Sequence, residues 1–161
     1  MHRHRLAALV VASVLAVGVA LAGCGGDDGA PTARPMTLVD GSVLRFESLK
    51  GTPVVVNFFA SWCAPCLREL PDLVTVAGER EATVRFVGVN VQDSGDTGVE
   101  LARRSGVTYP IARDPDGELL RAFGGTQMPT TVLLRADGTV ADVHLGAIDA
   151  AGLRRKLDAL G

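Results

Sequence analysis

The stretch Val54-Val55-Val56-Asn57-Phe58-Phe59-Ala60-Ser61-Trp62-Cys63-Ala64-Pro65-Cys66-Leu67-Arg68-Glu69-Leu70-Pro71 decides the fold. Its first part is a continuous β-branched and aromatic run, the pattern of a central strand buried on both faces. Its second part opens a helix, because Leu67, Leu70, Leu73, Val74 and Ala77 recur at helical spacing from Ala64 to about Glu79. Pro65 falls in the first helical turn, where a missing N–H costs little. Pro71 falls inside the helix and should kink it. Two cysteines separated by two residues therefore stand where a strand ends and a helix begins.

That position suits dithiol chemistry. A helix start carries unpaired backbone N–H groups and the positive end of the macrodipole. Both stabilise a thiolate at Cys63 and lower its pKa below the free-thiol value of about 8.5. Cys66, one turn later, is placed to attack a mixed disulfide formed on Cys63, which makes Cys63 the nucleophile and Cys66 the resolving thiol. Trp62 supplies an apolar wall beside the sulfur. Half a zinc site would need two more ligands. Beyond the first 23 residues the only other cysteine is Cys24 and the only histidine is His144, so no metal is expected. A purely structural disulfide here would close too small a loop to stabilise much.

Outward from this centre the elements alternate. Met36–Val39 and Val43–Phe46 flank Asp40-Gly41, a hairpin signal. Thr83–Val91 is strand-like, Val99–Ser105 is helical and closed by Gly106, and Glu118–Phe123 is a shorter helix. Thr130–Arg135 and Val140–Leu145 flank a second hairpin signal, Asp137-Gly138. Asp149–Leu160 is an amphipathic helix with Leu153, Leu157 and Leu160 on one stripe. The expected order is β-hairpin, β, α, β, α, short α, β, β, α. This is an α/β domain over 36–161, a mixed sheet with helices on both faces.

The N-terminus reads differently. His2-Arg3-His4-Arg5 is a basic start, Leu6 to Ala22 is apolar and uncharged, and the run closes on Leu21-Ala22-Gly23-Cys24. Residues 1–23 thus describe an export signal. The last four match a lipobox, in which Cys24 is lipidated and becomes the first mature residue. The alternatives are an uncleaved membrane anchor, for which the run is short, and a secreted protein cleaved elsewhere. Two acyl chains on Cys24 would suffice for stable attachment where one is marginal. Residues 24–35, rich in Gly, Asp and Pro without periodicity, are expected to be a flexible tether.

Charge and composition exclude other classes. With 16 basic and 18 acidic side chains, 4% aromatic residues and no basic stripe, no nucleic acid is expected as a partner. Arg103-Arg104 and Arg154-Arg155-Lys156 read as solvated helix faces, and His144 as structural.

The stretch Val54–Pro71 resembles the active-site segment of TlpA/ResA-type thioredoxin-family proteins, the DsbE/CcmG-like extracytoplasmic oxidoreductases. The likeness extends over most of Met36–Gly161 and includes Met128-Pro129-Thr130-Thr131, Asp137-Gly138 and His144-Leu145-Gly146. It implies a thioredoxin-like fold with an N-terminal hairpin, a strand–helix insertion near Val87–Tyr109, and a redox-active Cys63–Cys66 disulfide that needs no cofactor. It further implies that Pro129 is a cis proline packed against the disulfide, which leaves the backbone of Met128 free to pair with an extended substrate. Glu69, three residues after Cys66 on the same helix face, would lie near the cysteines and move a proton on or off Cys66; the plainer reading is a solvated helix glutamate. Asn57 departs from thioredoxin proper, where an aspartate stands six residues before the first cysteine. An amide cannot titrate, which moves any proton duty toward Glu69 and leaves Asn57 to satisfy buried backbone groups.

The resemblance implies cysteine-containing exported client proteins, apocytochrome c among them, and a membrane thiol-carrier that restores the dithiol. A reductase and an oxidase would use the same residues, because direction depends on reduction potential. The Ala-Pro pair between the cysteines resembles the reducing members more. A non-catalytic lipoprotein binding module is the reading from another class, and the intact cysteine pair argues against it.

Overall fold

A computed structural model describes residues 29–160. The export signal and Cys24 lie outside the described residues. In chain order the elements are β1 (Met36–Thr37), β2 (Val43–Leu44), β3 (Val54–Phe59), α1 (Ala64–Glu79), β4 (Arg85–Val91), α2 (Thr97–Arg104), β5 (Ile111–Asp114), α3 (Glu118–Ala122), β6 (Thr130–Leu134), β7 (Val140–Leu145) and α4 (Ala150–Asp158).

The main sheet has the order β5-β4-β3-β6-β7. Strands β3, β4 and β5 run parallel, whereas β6 and β7 join antiparallel. This is the mixed thioredoxin-like sheet. β3 lies at its centre and every one of its six residues is buried, which is why it is β-branched and aromatic on both faces. Val55 and Phe59 point into a core with Leu70, Leu73 and Val76 of α1, Ala102 of α2, and Leu153 and Leu157 of α4. Val54, Val56 and Phe58 point to the opposite core, with Met36, Phe46, and Leu119 and Leu120 of α3. Alternation along the strand thus builds two hydrophobic layers from one run of sequence.

Three expectations are corrected. β5 is absent from the expected order: four residues containing an Arg and an Asp, bracketed by Pro110 and Pro115, are too short to show a period. The first hairpin has strands of two residues rather than four, and Phe46 begins a 3-10 turn through Leu49. The hairpin is instead held by its turn, where Ser42 donates its N–H and hydroxyl to Asp40, and by docking on β5, with Val39 N–H donating to Ile111 O at 2.9 Å. Pro71 lies inside α1, as expected, on its exposed face. Within the segment expected to be tether, Pro31–Ala33 forms one 3-10 turn against residues 46–49, and Arg34 pairs with Glu118 at 3.1 Å.

Several members of the basic clusters have partners. Arg154 donates twice to Glu79 and Lys156 donates to Asp142, which fasten α4 to its neighbours. Arg103 donates to the carbonyls of Val107 and Tyr109. Asp149 caps α4 by accepting from Gly152 N–H at 2.7 Å.

Candidate active site

Parallel strands deliver their C-terminal ends to one edge of the sheet, and α1 starts there. Cys63 is the N-cap residue of α1, and its sulfur accepts from the Cys66 N–H at 3.3 Å. The two cysteines are joined as a disulfide, with Cα atoms 5.3 Å apart. Their exposures differ in the sense that matters: Cys63 retains 5% and Cys66 retains 0%. Of the two, only Cys63 keeps any surface in contact with solvent. When the bond is reduced, the N–H groups and dipole of α1 act on the Cys63 sulfur and favour its thiolate.

Trp62 stands 57% exposed beside this sulfur, a large apolar surface that the fold does not cover. It forms one wall of a groove of about 840 Å³ whose lining includes Cys63, Pro65, Gln92, Leu120 and Met128. The Met128–Pro129 peptide bond is cis. The Pro129 carbonyl accepts from Gly146 N–H at 2.9 Å, and Thr130 Oγ1 donates to the Gln127 carbonyl at 2.7 Å, so the loop is held on both sides of Met128. The backbone of Met128 itself makes no hydrogen bond among the described residues.

Behind the cysteines lies a buried polar cluster. Glu69, one turn after Cys66, is buried and not solvated. Asn57 Nδ2 donates to its Oε1 at 2.8 Å, and the Ile148 N–H donates to its Oε2 at 2.9 Å. Burial pushes the Glu69 carboxyl up to about 7, while the bonds from Ile148 and Asn57 oppose the rise. Asn57 also donates to Thr131 Oγ1 at 3.1 Å, and its carbonyl oxygen has no partner among the described residues. Asn57 therefore serves side chains, not the buried backbone groups expected of it. The register explains the meeting, because Asn57 is flanked in the sheet by Gly88 on β4 and Thr131 on β6. Tyr109 is covered too, and burial followed by the charge of Glu69 raises its hydroxyl pKa. His144 bonds the Ala147 carbonyl at 3.3 Å and lines a second cavity, of about 740 Å³, with Glu69, Arg68 and Arg155.

Cys63, Cys66, Glu69 and Asn57 were legible as one stretch, and the structure brings Trp62 and Met128 to the same groove. Thr131, Ile148, Gln92 and Asp93 were missed. Thr131 carried a faint signal, directly following Met128-Pro129-Thr130. Ile148 acts through its backbone, which no side-chain pattern announces.

A thioredoxin-like sheet, a cysteine pair opening the helix after its central strand and a cis proline preceding β6 define a protein of the thiol–disulfide oxidoreductase class. Residues 26–159 match the Redoxin family, and the chain belongs to it. It is 31% identical over 111 residues to the thiol-disulfide oxidoreductase ResA of Halalkalibacterium halodurans, a match covering 68% of this chain and 63% of that protein. With the ResA of Geobacillus kaustophilus it shares 30% over 134 residues, covering 80% of this chain and 76% of the relative. Among solved structures, DsbF of Mycobacterium tuberculosis superposes with a TM-score of 0.75 at 32% identity, covering 82% of this chain and 98% of that one.

Proposed function

We propose that this chain is an extracytoplasmic, lipid-anchored oxidoreductase that reduces disulfides in exported proteins. The observation that carries the reading is the unequal pair at the start of α1, a reachable Cys63 and a fully buried Cys66.

In the reduced state the Cys63 thiolate attacks a client disulfide, forming a Cys63–client bond and releasing one client thiolate. Cys66 then loses its proton and attacks the Cys63 sulfur. The intramolecular disulfide forms, the second client thiolate leaves, and two electrons have passed to the client. A dithiol on a membrane thiol-carrier restores the pair by the reverse sequence. Glu69, poised near neutrality, is the proton acceptor for Cys66. The client lies as an extended segment in the groove, its backbone pairing with Met128 beside cis Pro129 and its apolar side chains against Trp62.

Clients of the apocytochrome c kind, with paired cysteines that must be thiols before haem attachment, fit a reductase on this side of the membrane. The anchor is Cys24, exposed by removal of residues 1–23, and the tether is the part of 24–35 that precedes the turn at Pro31–Ala33, which packs on the domain.

The reduction potential of the chain without its leader, equilibrated in dithiothreitol or glutathione buffers with Cys66→Ser as control, tests the direction. A value near or below that of thioredoxin, about −270 mV, supports the reductase. A value approaching about −120 mV makes the protein an oxidant that inserts disulfides into clients. Thiols indifferent to the buffer would leave a binding module only.

A further inference from the structure

Between β3 and α1 the chain makes a single turn over Ala60–Trp62, and this turn sets where Cys63 enters the helix. Its polar groups are taken up by one carboxylate from the β4–α2 connection. The Ser61 N–H donates to Asp93 Oδ2 at 2.8 Å, and the Ser61 hydroxyl donates to Oδ1 at 2.5 Å. Oδ2 also accepts from the side-chain amide of Asn90, a buried residue of β4.

The surrounding backbone is shaped to admit that carboxylate. Gln92 adopts φ 51°, a left-handed conformation uncommon for a residue with a side chain. Such a conformation persists where the surroundings demand it, and functional sites are where it clusters. Here it turns the chain at the end of β4 so that Asp93 faces Ser61. Gly98, buried in the first turn of α2, completes the fit, because a methyl group there would overlap the Asp93 carboxylate and the Asn90 amide. Three separate features thus converge on one side chain.

We propose that Asp93 is a positioning residue for disulfide exchange: it clamps Ser61, and through Ser61 the adjoining Trp62 and Cys63, to the end of β4. The proposal rests on the exchange function given above. Hydrogen bonds to a carboxylate are roughly twice as strong as neutral ones, and two from the same residue remove its freedom to rotate. Sulfur exchange requires the attacking sulfur to be aligned with the bond it breaks, and a misplacement of about 1 Å can cost about a hundredfold in rate.

The test compares the wild-type chain with Asp93→Ala, Asp93→Asn and Gly98→Ala. The readouts are the urea midpoint, the rate of exchange with a cysteine-paired peptide disulfide, and the pH midpoint of Cys63 alkylation by iodoacetamide. Positioning predicts that Asp93→Ala and Gly98→Ala fold but exchange at least about tenfold more slowly. Gly98→Ala, which keeps the charge and displaces the carboxylate, raises the alkylation midpoint as Cys63 leaves the helix N-terminus. Asp93→Asn retains an acceptor for the Ser61 amide and recovers part of the rate. An unchanged rate and midpoint in Gly98→Ala, with changes confined to the two Asp93 variants, would assign the effect to charge and overturn the clamp. Should Gly98→Ala fail to fold, Ser61→Ala removes one of the two bonds without altering charge and carries the same expectation at smaller size. A wild-type chain unable to exchange would refute the oxidoreductase reading, and the alkylation midpoints would still decide the clamp.

Discussion

Asn57 of β3 donates its side-chain amide to the Glu69 carboxylate of α1 at 2.8 Å, and both residues are buried. The pair couples the centre of the sheet to the helix that carries the cysteines. In it the amide, which cannot titrate, holds the one carboxylate that burial drives toward neutrality.

Glu69 makes stability depend on pH. Its pKa is raised in the folded state, from 4.5 to about 7, so the folded chain binds the proton more tightly than the unfolded chain. The contribution is fully present below about 4.5 and is lost as pH rises through about 7. Its size is about 3 kcal/mol. Urea unfolding of Glu69→Gln and wild type, compared at steps from pH 4.5 to 8, should show the variant gaining relative to wild type by an amount of this order. A difference that stays constant with pH would mean Glu69 does not titrate in this range.

The two cysteines should fail differently. Cys66→Ser leaves the reachable sulfur in place and removes the resolving one, so mixed disulfides with clients should accumulate on Cys63. Cys63→Ser leaves only the buried Cys66 thiol at the start of α1, and no mixed disulfide should form there. Non-reducing gels followed by mass spectrometry distinguish them. Equal trapping by both variants would contradict the assignment of nucleophile and resolver.

Asp114 links fold and groove. Its buried carboxylate accepts from Leu119 N–H at 3.1 Å and from Leu120 N–H at 2.9 Å, capping α3, and Leu120 lines the groove. Asp114→Ala leaves those donors unmet and should cost about 1–3 kcal/mol in urea unfolding, with weaker peptide binding. A loss below about 0.5 kcal/mol would show that α3 holds without its cap.

Membrane attachment should depend on one atom. Replacing Cys24 by Ser removes the thiol that accepts the lipid, so the protein should shift from the membrane fraction to the soluble fraction after detergent phase partition. Persistence in the membrane fraction would indicate that the apolar run Leu6–Ala22 remains as an uncleaved anchor.

The sequence was most informative where structure is local. The strand–cysteine–helix stretch, the two Asp-Gly turns with Gly41 and Gly138 at φ 84° and 89°, and the stripe of α4 follow from periodicity, turn chemistry and capping. These act over a few residues and leave their mark in order and spacing. β5 left none, because four residues sandwiched by prolines draw their strand character from pairing with β4 and from the docked hairpin.

The site divides along the same line. The order of residues was enough to place two cysteines at a helix start, where their spacing lets them pair as the disulfide that the fold contains. Packing settled the state of Glu69, for which the sequence left a site residue and a solvated helix glutamate both open until Asn57, Ile148 and the core closed over it, and the place of Asp93, which lies 32 residues from Ser61 along the chain and 2.8 Å from its backbone nitrogen. The reason is physical. Desolvation and long-range hydrogen bonding belong to groups brought together by the packing of β3, β4 and α1, and no local run of residues records which distant group will arrive.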